Sequence, residues 1–227
     1  MAVSFERRSE GSEGSEGSDE RMEGEVHVTT TDALAVDFVI PAIERIQVKY
    51  PAIRVTLTTT TRLLNLGRRE ADIAVRTQRP EQPELIVRKL GAWDVGLFAT
   101  QKYLDGFGEP ESNTGFAGHR IALYRAGVTQ HQDERLAGER RDKGSIVAEL
   151  DSSLMLTTFI RAGLALGELP AYLAQKYPEL IRLWPDRSRN KSYEVWLVMH
   201  QDLAHTARVK AVMNTIADEF RLQQQTR

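Results

Sequence analysis

The chain has 227 residues, 41% hydrophobic and 27% charged, enough for one large core or two of roughly 100 residues each. With no cysteine, a disulfide scaffold, a thiol nucleophile and a Cys-ligated zinc site are excluded. Apolar runs fall short of the roughly 18 residues of a membrane span, and the polar, acidic start is unlike a secretory signal, so a soluble, cytoplasmic chain is expected.

The net charge of −2 is unevenly spread. Eight of the 32 acids but three of the 30 bases fall in residues 1–25, which leaves 24 acids against 27 bases, about +3, in the rest. That is too mild an excess to mark a nucleic-acid surface. Residues 9–18 repeat Ser-Glu-Gly, with nothing to bury against their ordering entropy, so residues 1–23 are predicted to be a disordered acidic leader.

From Gly24 on, Val26 and Val28 alternate with His27 and Thr29, the pattern of a strand. Asp32 is the predicted N-cap of the next helix, whose apolar face is expected at Val36, Val39, Ile40 and Ile43, with a kink or restart at Pro41 and an end at Tyr50-Pro51. A strand at residues 53–59, a short helix at 62–69 and a buried strand at 72–75 complete a strand–helix–strand–helix–strand run, the mark of a parallel sheet with helices on its faces. Strands are expected next at 85–90 and 95–99.

After residue 100 the pattern starts again, with strands at 120–124 and 146–150 and a helix opening at Asp151-Ser152-Ser153. Leu156, Phe159, Ile160 and Gly163 share one face of that helix. A short strand is predicted at 164–167, stopped by Pro170, and another at 193–199. Val209, Val212, Met213, Ile216, Ala217 and Phe220 then mark one face of a final helix.

The five histidines lack metal-ligand spacing, no glycine-rich phosphate loop or nucleophile elbow is present, and no acid/base constellation assembles. No metal or cofactor and no catalysis are therefore assigned. What recurs is a hydroxyl at a strand end: Thr30 and Thr31 after the first strand, Thr60 and Thr61 after the second, Thr100 on the far side, and Ser152 at a helix start. In open α/β sheets ligands sit outside the carboxyl ends of the strands, where helix N-termini offer free N–H groups. Arg76, ending the third strand, either supplies a charge to a ligand there or pairs with a carboxylate such as Asp72. Glu168, set between Leu166 and Leu169, either reaches solvent from a strand end or lines a cleft.

The order of motifs resembles the effector-binding domain of LysR-type transcriptional regulators. Gly24-Glu-Val-His-Val-Thr with Pro41, Ile46 and Tyr50-Pro51 is similar to that domain's opening. Arg62-Leu-Leu-Asn-Leu followed by Ala71-Asp-Ile-Ala-Val-Arg76 resembles "VNL…DLAIR"; Val95 to Leu104 resembles the hinge strand and "SPAYL"; and Ala162 to Pro170 resembles "AGLGIALLP". Residues 125–144 depart from the pattern in being unusually polar and lacking an aromatic core residue. The sequence begins where the family's linker helix ends, either as a truncated gene product or as an effector domain standing alone.

The resemblance implies a type 2 periplasmic-binding-protein-like α/β fold. Two α/β subdomains, at 24–96 plus 194–227 and at 97–193, would be joined by two hinge strands. It implies sensing of a small-molecule effector through closure of the subdomains, and the strand-end reading places that effector between them at Thr30, Thr31, Thr60, Thr61, Arg76, Thr100, Ser152 and Glu168. It also implies a homodimer paired through the helix at 36–50, with Asp37 and Glu44 toward solvent or the partner. DNA would be bound only through a winged helix-turn-helix domain that this sequence lacks. An enzyme or a solute-binding protein on the same fold is the alternative.

Overall fold

The computed structural model describes residues 20–60, 71–125 and 134–225. The leader through residue 19, the expected helix at 62–69 and Thr61 lie outside these residues.

Two β-layers organise the chain. The first is a five-stranded sheet in the order β2-β1-β3-β12-β4, built from β1 (Gly24–Thr30), β2 (Ile53–Thr59), β3 (Ile73–Arg76), β4 (Leu85–Trp93) and β12 (Tyr193–His200). As the sequence pattern predicts, β1 pairs in parallel with β2 and β3, while β12 returns antiparallel between β3 and β4 with a bulge at Val195–Trp196. The second layer joins β5 (Val95–Thr100) to β10 (Gly167–Pro170) and β11 (Leu180–Leu183). The parallel pair β6 (Arg120–Tyr124) and β9 (Ser145–Leu150) extends it through the Ile121–Leu166 bridge. A two-residue hairpin, β7 (Arg135–Leu136) and β8 (Glu139–Arg140), lies at its outer part.

The first helix, α1, is continuous through Asp32–Leu34, a π-helical stretch Ala35–Val39, and Ile40–Lys49. Its wide turn sits directly before Pro41, which has no N–H to give the Asp37 carbonyl. Gln223 Nε2 donates to that carbonyl instead, at 2.8 Å. The extra residue in the π turn changes which side faces inward. Leu34, Phe38, Ala42 and Ile46 are buried, whereas Val36 and Ile40, expected on the inner face, are 38% and 50% exposed. Asp37 is likewise not at the surface but buried, while Glu44 is exposed as expected.

The remaining helices are α2 (Gln101–Phe107), α3 (Ser153–Arg161), α4 (Leu173–Lys176) and α5 (Ala207–Gln225). The buried face of α5 carries Val209, Val212, Ile216, Ala217 and Phe220, as its periodicity predicts. Phe220 stacks on Phe38 with ring centroids 3.9 Å apart, and Trp93 and Tyr172 close the aromatic cluster at 5.9 and 5.4 Å from Phe38. The same core includes Leu156 and Ile160 of α3 and Leu173 of α4, so the two layers share apolar packing. The strand expected at 164–167 begins instead at Gly167, and Pro170 is its last residue, a position where a missing donor is tolerated.

Candidate functional site at the strand ends

The carboxyl ends of β1, β2 and β3 come together because the three strands are parallel and adjacent, and they bring Thr29, Thr30, Thr31, Thr60 and Arg76 to one end of the sheet. Thr60 N–H donates to the Thr30 carbonyl at 2.9 Å, which holds the two loop starts together. The Arg76 guanidinium is 6% exposed and donates to the Thr60 carbonyl and to Thr29 Oγ1, both at 2.7 Å. Both partners are neutral. Burial pushes this guanidinium below its ordinary pKa range, the direction expected of a desolvated cation.

Asp72 does not pair with Arg76. Its carboxylate accepts the His27 N–H at 2.8 Å, at the start of β3, while Arg76 ends that strand. Four charged residues among those described are buried: Asp37, Arg76, Glu139 and Glu219. Asp37 meets Lys176, Glu139 meets Arg187 at 3.5 Å and Glu219 meets Arg45 at 3.2 Å. Arg76 meets no carboxylate among the described residues. Beside it, the hydroxyls of Thr30 and Thr31 are buried with no hydrogen-bond partner. A buried cation with only neutral partners among the described residues and two unused hydroxyls at one sheet end form an arrangement that could accept an anionic group.

Ser152 lies across from this end. It caps α3, its Oγ accepting the Met155 N–H at 3.0 Å, and it donates to the carboxylate of Asp32. Ser153 Oγ and the Leu154 N–H donate to the same carboxylate at 2.9 and 3.3 Å, and the neighbouring Ala33 N–H at 2.7 Å. Asp32 is therefore not the N-cap of α1, as the sequence suggests; Thr31 holds that position without a side-chain bond, and Asp32 is the first helical residue. Its charge sits between the N-termini of α1 and α3, where both helix dipoles favour it. Tyr124 borders the junction, and burial, with the Asp32 charge adding to it, pushes its phenol above the usual range, so it stays a donor. One helical turn further along, Asp37 accepts the Tyr172 hydroxyl at 2.8 Å and pairs with Lys176. Two carboxylates of α1 thus tie the first layer to the second.

Two expected site residues fall elsewhere. Thr100 is buried and caps α2, its Oγ1 3.4 Å from the Tyr103 N–H, and it faces Gly163 beyond the C-terminal end of α3. The nine residues of α3 separate it from Ser152 by about 14 Å at a rise of roughly 1.5 Å per residue. Glu168 accepts the Ala137 N–H at 2.7 Å. Its neighbour Gly167 packs on Ile160 of α3, so strand alternation turns Glu168 to the opposite face, toward the β7–β8 hairpin. Thr29 and Asp32 were missed by the sequence reasoning: both read as a strand end and a cap, and their partners lie 47 and 120 residues away. Among the described residues no group of three or more His, Asp or Glu could hold a metal ion, and no helix is long and apolar enough to cross a membrane.

The chain matches the LysR substrate binding domain family over residues 19–221. It is 22% identical to the regulatory domain of CrgA, a LysR-type transcriptional regulator from Neisseria meningitidis, with a TM-score of 0.77 over 87% of this chain and 99% of that one. The effector domain of AmpR from Pseudomonas aeruginosa follows the same path, with a TM-score of 0.64 at 17% identity over 88% and 100% of the two chains. An uncharacterised HTH-type transcriptional regulator of Haemophilus influenzae is 23% identical over 175 residues, 75% of this chain and 61% of that protein. An HTH-type regulator of Xanthomonas campestris is 26% identical over 110 residues, 48% of this chain and 32% of that protein. The chain thus spans less than two thirds of the length of either regulator. With its two α/β layers, crossing strands and a family match over nearly its whole length, the chain belongs to the LysR substrate-binding domain family and has a type 2 periplasmic-binding-protein-like fold.

Proposed function

We propose that this domain senses a small anionic effector and, as part of a LysR-type transcriptional regulator, passes the binding event to DNA through a winged helix-turn-helix domain. The observation that carries the reading is Arg76, a buried cation with only neutral partners among the described residues, beside the unused hydroxyls of Thr30 and Thr31. The effector's anionic group would take Arg76 together with Thr30, Thr31 and the loop at Thr60, with Ser152 on the facing side. Thr100 and Glu168 serve the second layer, as a helix cap and a hairpin anchor.

Closure would move two subdomains, at 24–96 plus 194–227 and at 97–193, whose relative placement the Asp32 and Asp37 contacts hold. A ligand shifts such an equilibrium only by its differential affinity for the two arrangements. We assign the domain no catalysis and place it with its DNA in the cytoplasm. Pairing would run through the outward apolar residues Val36 and Ile40 of α1, which gives a homodimer.

The experiment is a thermal-shift screen of small mono- and dicarboxylates on the wild type and on Arg76→Gln. A ligand at about 100 times its Kd stabilises by about 2.7 kcal/mol, or roughly 5–10 °C for a domain of this size. The shift should vanish in Arg76→Gln. Equal shifts in both proteins would place binding elsewhere and overturn the reading.

A further inference from the structure

We propose a second binding site, for a dianionic small molecule of the phosphate-ester class, in a groove on the outer part of the second layer. The groove holds about 620 Å³, within the roughly 300–1,000 Å³ typical of small-molecule sites. Its walls are the loop Asn113–Gly115, the β7–β8 hairpin, the turn at Asp142–Lys143 and the stretch Arg187–Ser188. None of these residues belongs to the β1–β3 strand ends, so this site is independent of the effector reading.

Backbone strain gathers here. The described residues include four non-glycines in the left-handed region, Asn113 (φ 63°), Phe116 (φ 63°), Ala137 (φ 46°) and Trp184 (φ 48°). Asn113 and Ala137 line the groove, Phe116 follows its wall residue Gly115, and Trp184 packs on Phe116 with ring centroids 5.3 Å apart. Each left-handed non-glycine costs on the order of 1–2 kcal/mol, and such conformations persist only where the surroundings over-determine them.

The surroundings here do so with specific bonds. Glu139, buried, accepts the Gly115 N–H at 3.3 Å and pairs with Arg187 at 3.5 Å. The Lys143 N–H donates to the Gly115 carbonyl at 2.9 Å, Glu168 accepts the Ala137 N–H, and Trp184 Nε1 donates to the Pro110 carbonyl at 3.2 Å. The groove is therefore held in shape before any ligand arrives.

Its charge selects the ligand. Arg135, Arg140, Lys143 and Arg187 face Glu139 and Asp142, an excess of two positive charges. Glu139 is engaged with Arg187 on the floor, so the positive field concentrates at the rim. There Arg140 and Lys143 are exposed and pair with no carboxylate among the described residues. Two positive charges match one phosphate dianion, and guanidinium forks match its oxygens bidentately. The Arg187 guanidinium lies over the Trp184 ring, 4.9 Å from its centroid, and gives the remainder of such a molecule a flat wall. The unusually polar stretch at 125–144, which departs from the family pattern, supplies three of the four cations.

The test is calorimetric titration of the full chain with inorganic phosphate and with a hexose phosphate, at fixed ionic strength of about 0.15 M where long-range screening is held constant. The amide signals of Gly115 and Gly138 are followed by NMR. Saturable binding tighter than about 1 mM is expected, weakened at least about tenfold in the double variant Arg140→Ala/Lys143→Ala and unchanged in Arg54→Ala, which removes an exposed arginine of β2. Both rim residues are exposed, so the double variant keeps the fold. Absence of saturable binding, equal effects from chloride, or loss in Arg54→Ala rather than in the double variant would each overturn the proposal.

Discussion

Asp32→Asn should loosen the junction between α1 and α3 without changing its shape. The carboxylate accepts from Ser152 Oγ, Ser153 Oγ and the Leu154 N–H across the junction, besides the local Ala33 N–H. A hydrogen bond to a charged acceptor contributes about 1.5–3 kcal/mol and a neutral one about 0.5–1.5, so neutralising the acceptor removes roughly 1 kcal/mol per bond. The amide also turns one oxygen into a donor that faces hydroxyls already donating, and it withdraws a negative charge from two helix N-termini at about 0.5 kcal/mol each. The loss sums to about 4–5 kcal/mol, or a fall in Tm of roughly 8–20 °C for a domain of this size. Calorimetric unfolding of Asp32→Asn, Ser153→Ala and the double variant should give a coupling energy of about 1 kcal/mol or more. Scattering should show an increased radius of gyration wherever the layers part before they unfold. Stability of Asp32→Asn within about 0.5 kcal/mol of the wild type, or strict additivity with Ser153→Ala, would refute the assignment of energy to this junction.

Ile40→Glu, on the outward face of α1, should turn a dimer into a monomer in light scattering at tens of micromolar while leaving Tm within a few degrees, because the substituted side chain is already half-exposed. His119 is buried with Nδ1 3.1 Å from the Tyr103 hydroxyl, and burial holds its pKa below the usual 6.5. Between the two values the unfolded chain binds the proton more readily, so its contribution to stability is complete above about pH 6.5 and is lost as pH falls toward the folded pKa. Its NMR titration midpoint should lie below 6.5, and His119→Gln should flatten that part of the stability profile.

Most of the fold was legible because it rests on local periodicity. The Val26/Val28 alternation, the apolar face of α5 and the strand–helix–strand order each need only neighbouring residues to be read. That the threonines at the ends of β1 and β2 and Arg76 at the end of β3 share one sheet end was legible because parallel adjacent strands place their carboxyl ends together. The inner face of α1 was legible only in part, since Val39 is buried and Ile43 packs against the core as expected while Val36 and Ile40 face outward. Its π turn depends on Pro41 freeing the Asp37 carbonyl and on Gln223, 186 residues later, taking it up. Nor could Asp32 be read correctly, since an Asp before a helix looks the same whether it caps that helix or reaches another one. Thr100 misled for a related reason: a hydroxyl at a strand end followed by a helix is as good a cap as a ligand donor, and here the cap bond is made.

The energetic contrast between Arg76 and the other buried charges among the described residues is what supports the proposed reading of this sheet end as an effector site. Net stability of a domain is only about 5–15 kcal/mol. Two unpartnered buried hydroxyls cost on the order of 1–3 kcal/mol each, and a desolvated cation with only neutral acceptors adds to that. Elsewhere in the same core Asp37, Glu139 and Glu219 each meet an opposite charge. A carboxylate placed against Arg76, or a valine at Thr30, would relieve the penalty by folding alone. Among the described residues the cation, the two hydroxyls and the loop starts instead face one another, and the proposed effector reading rests on that arrangement. On the proposed reading, a ligand that brings a negative charge would recover the desolvation already spent, and it would shift the subdomains only by its differential affinity for the two arrangements.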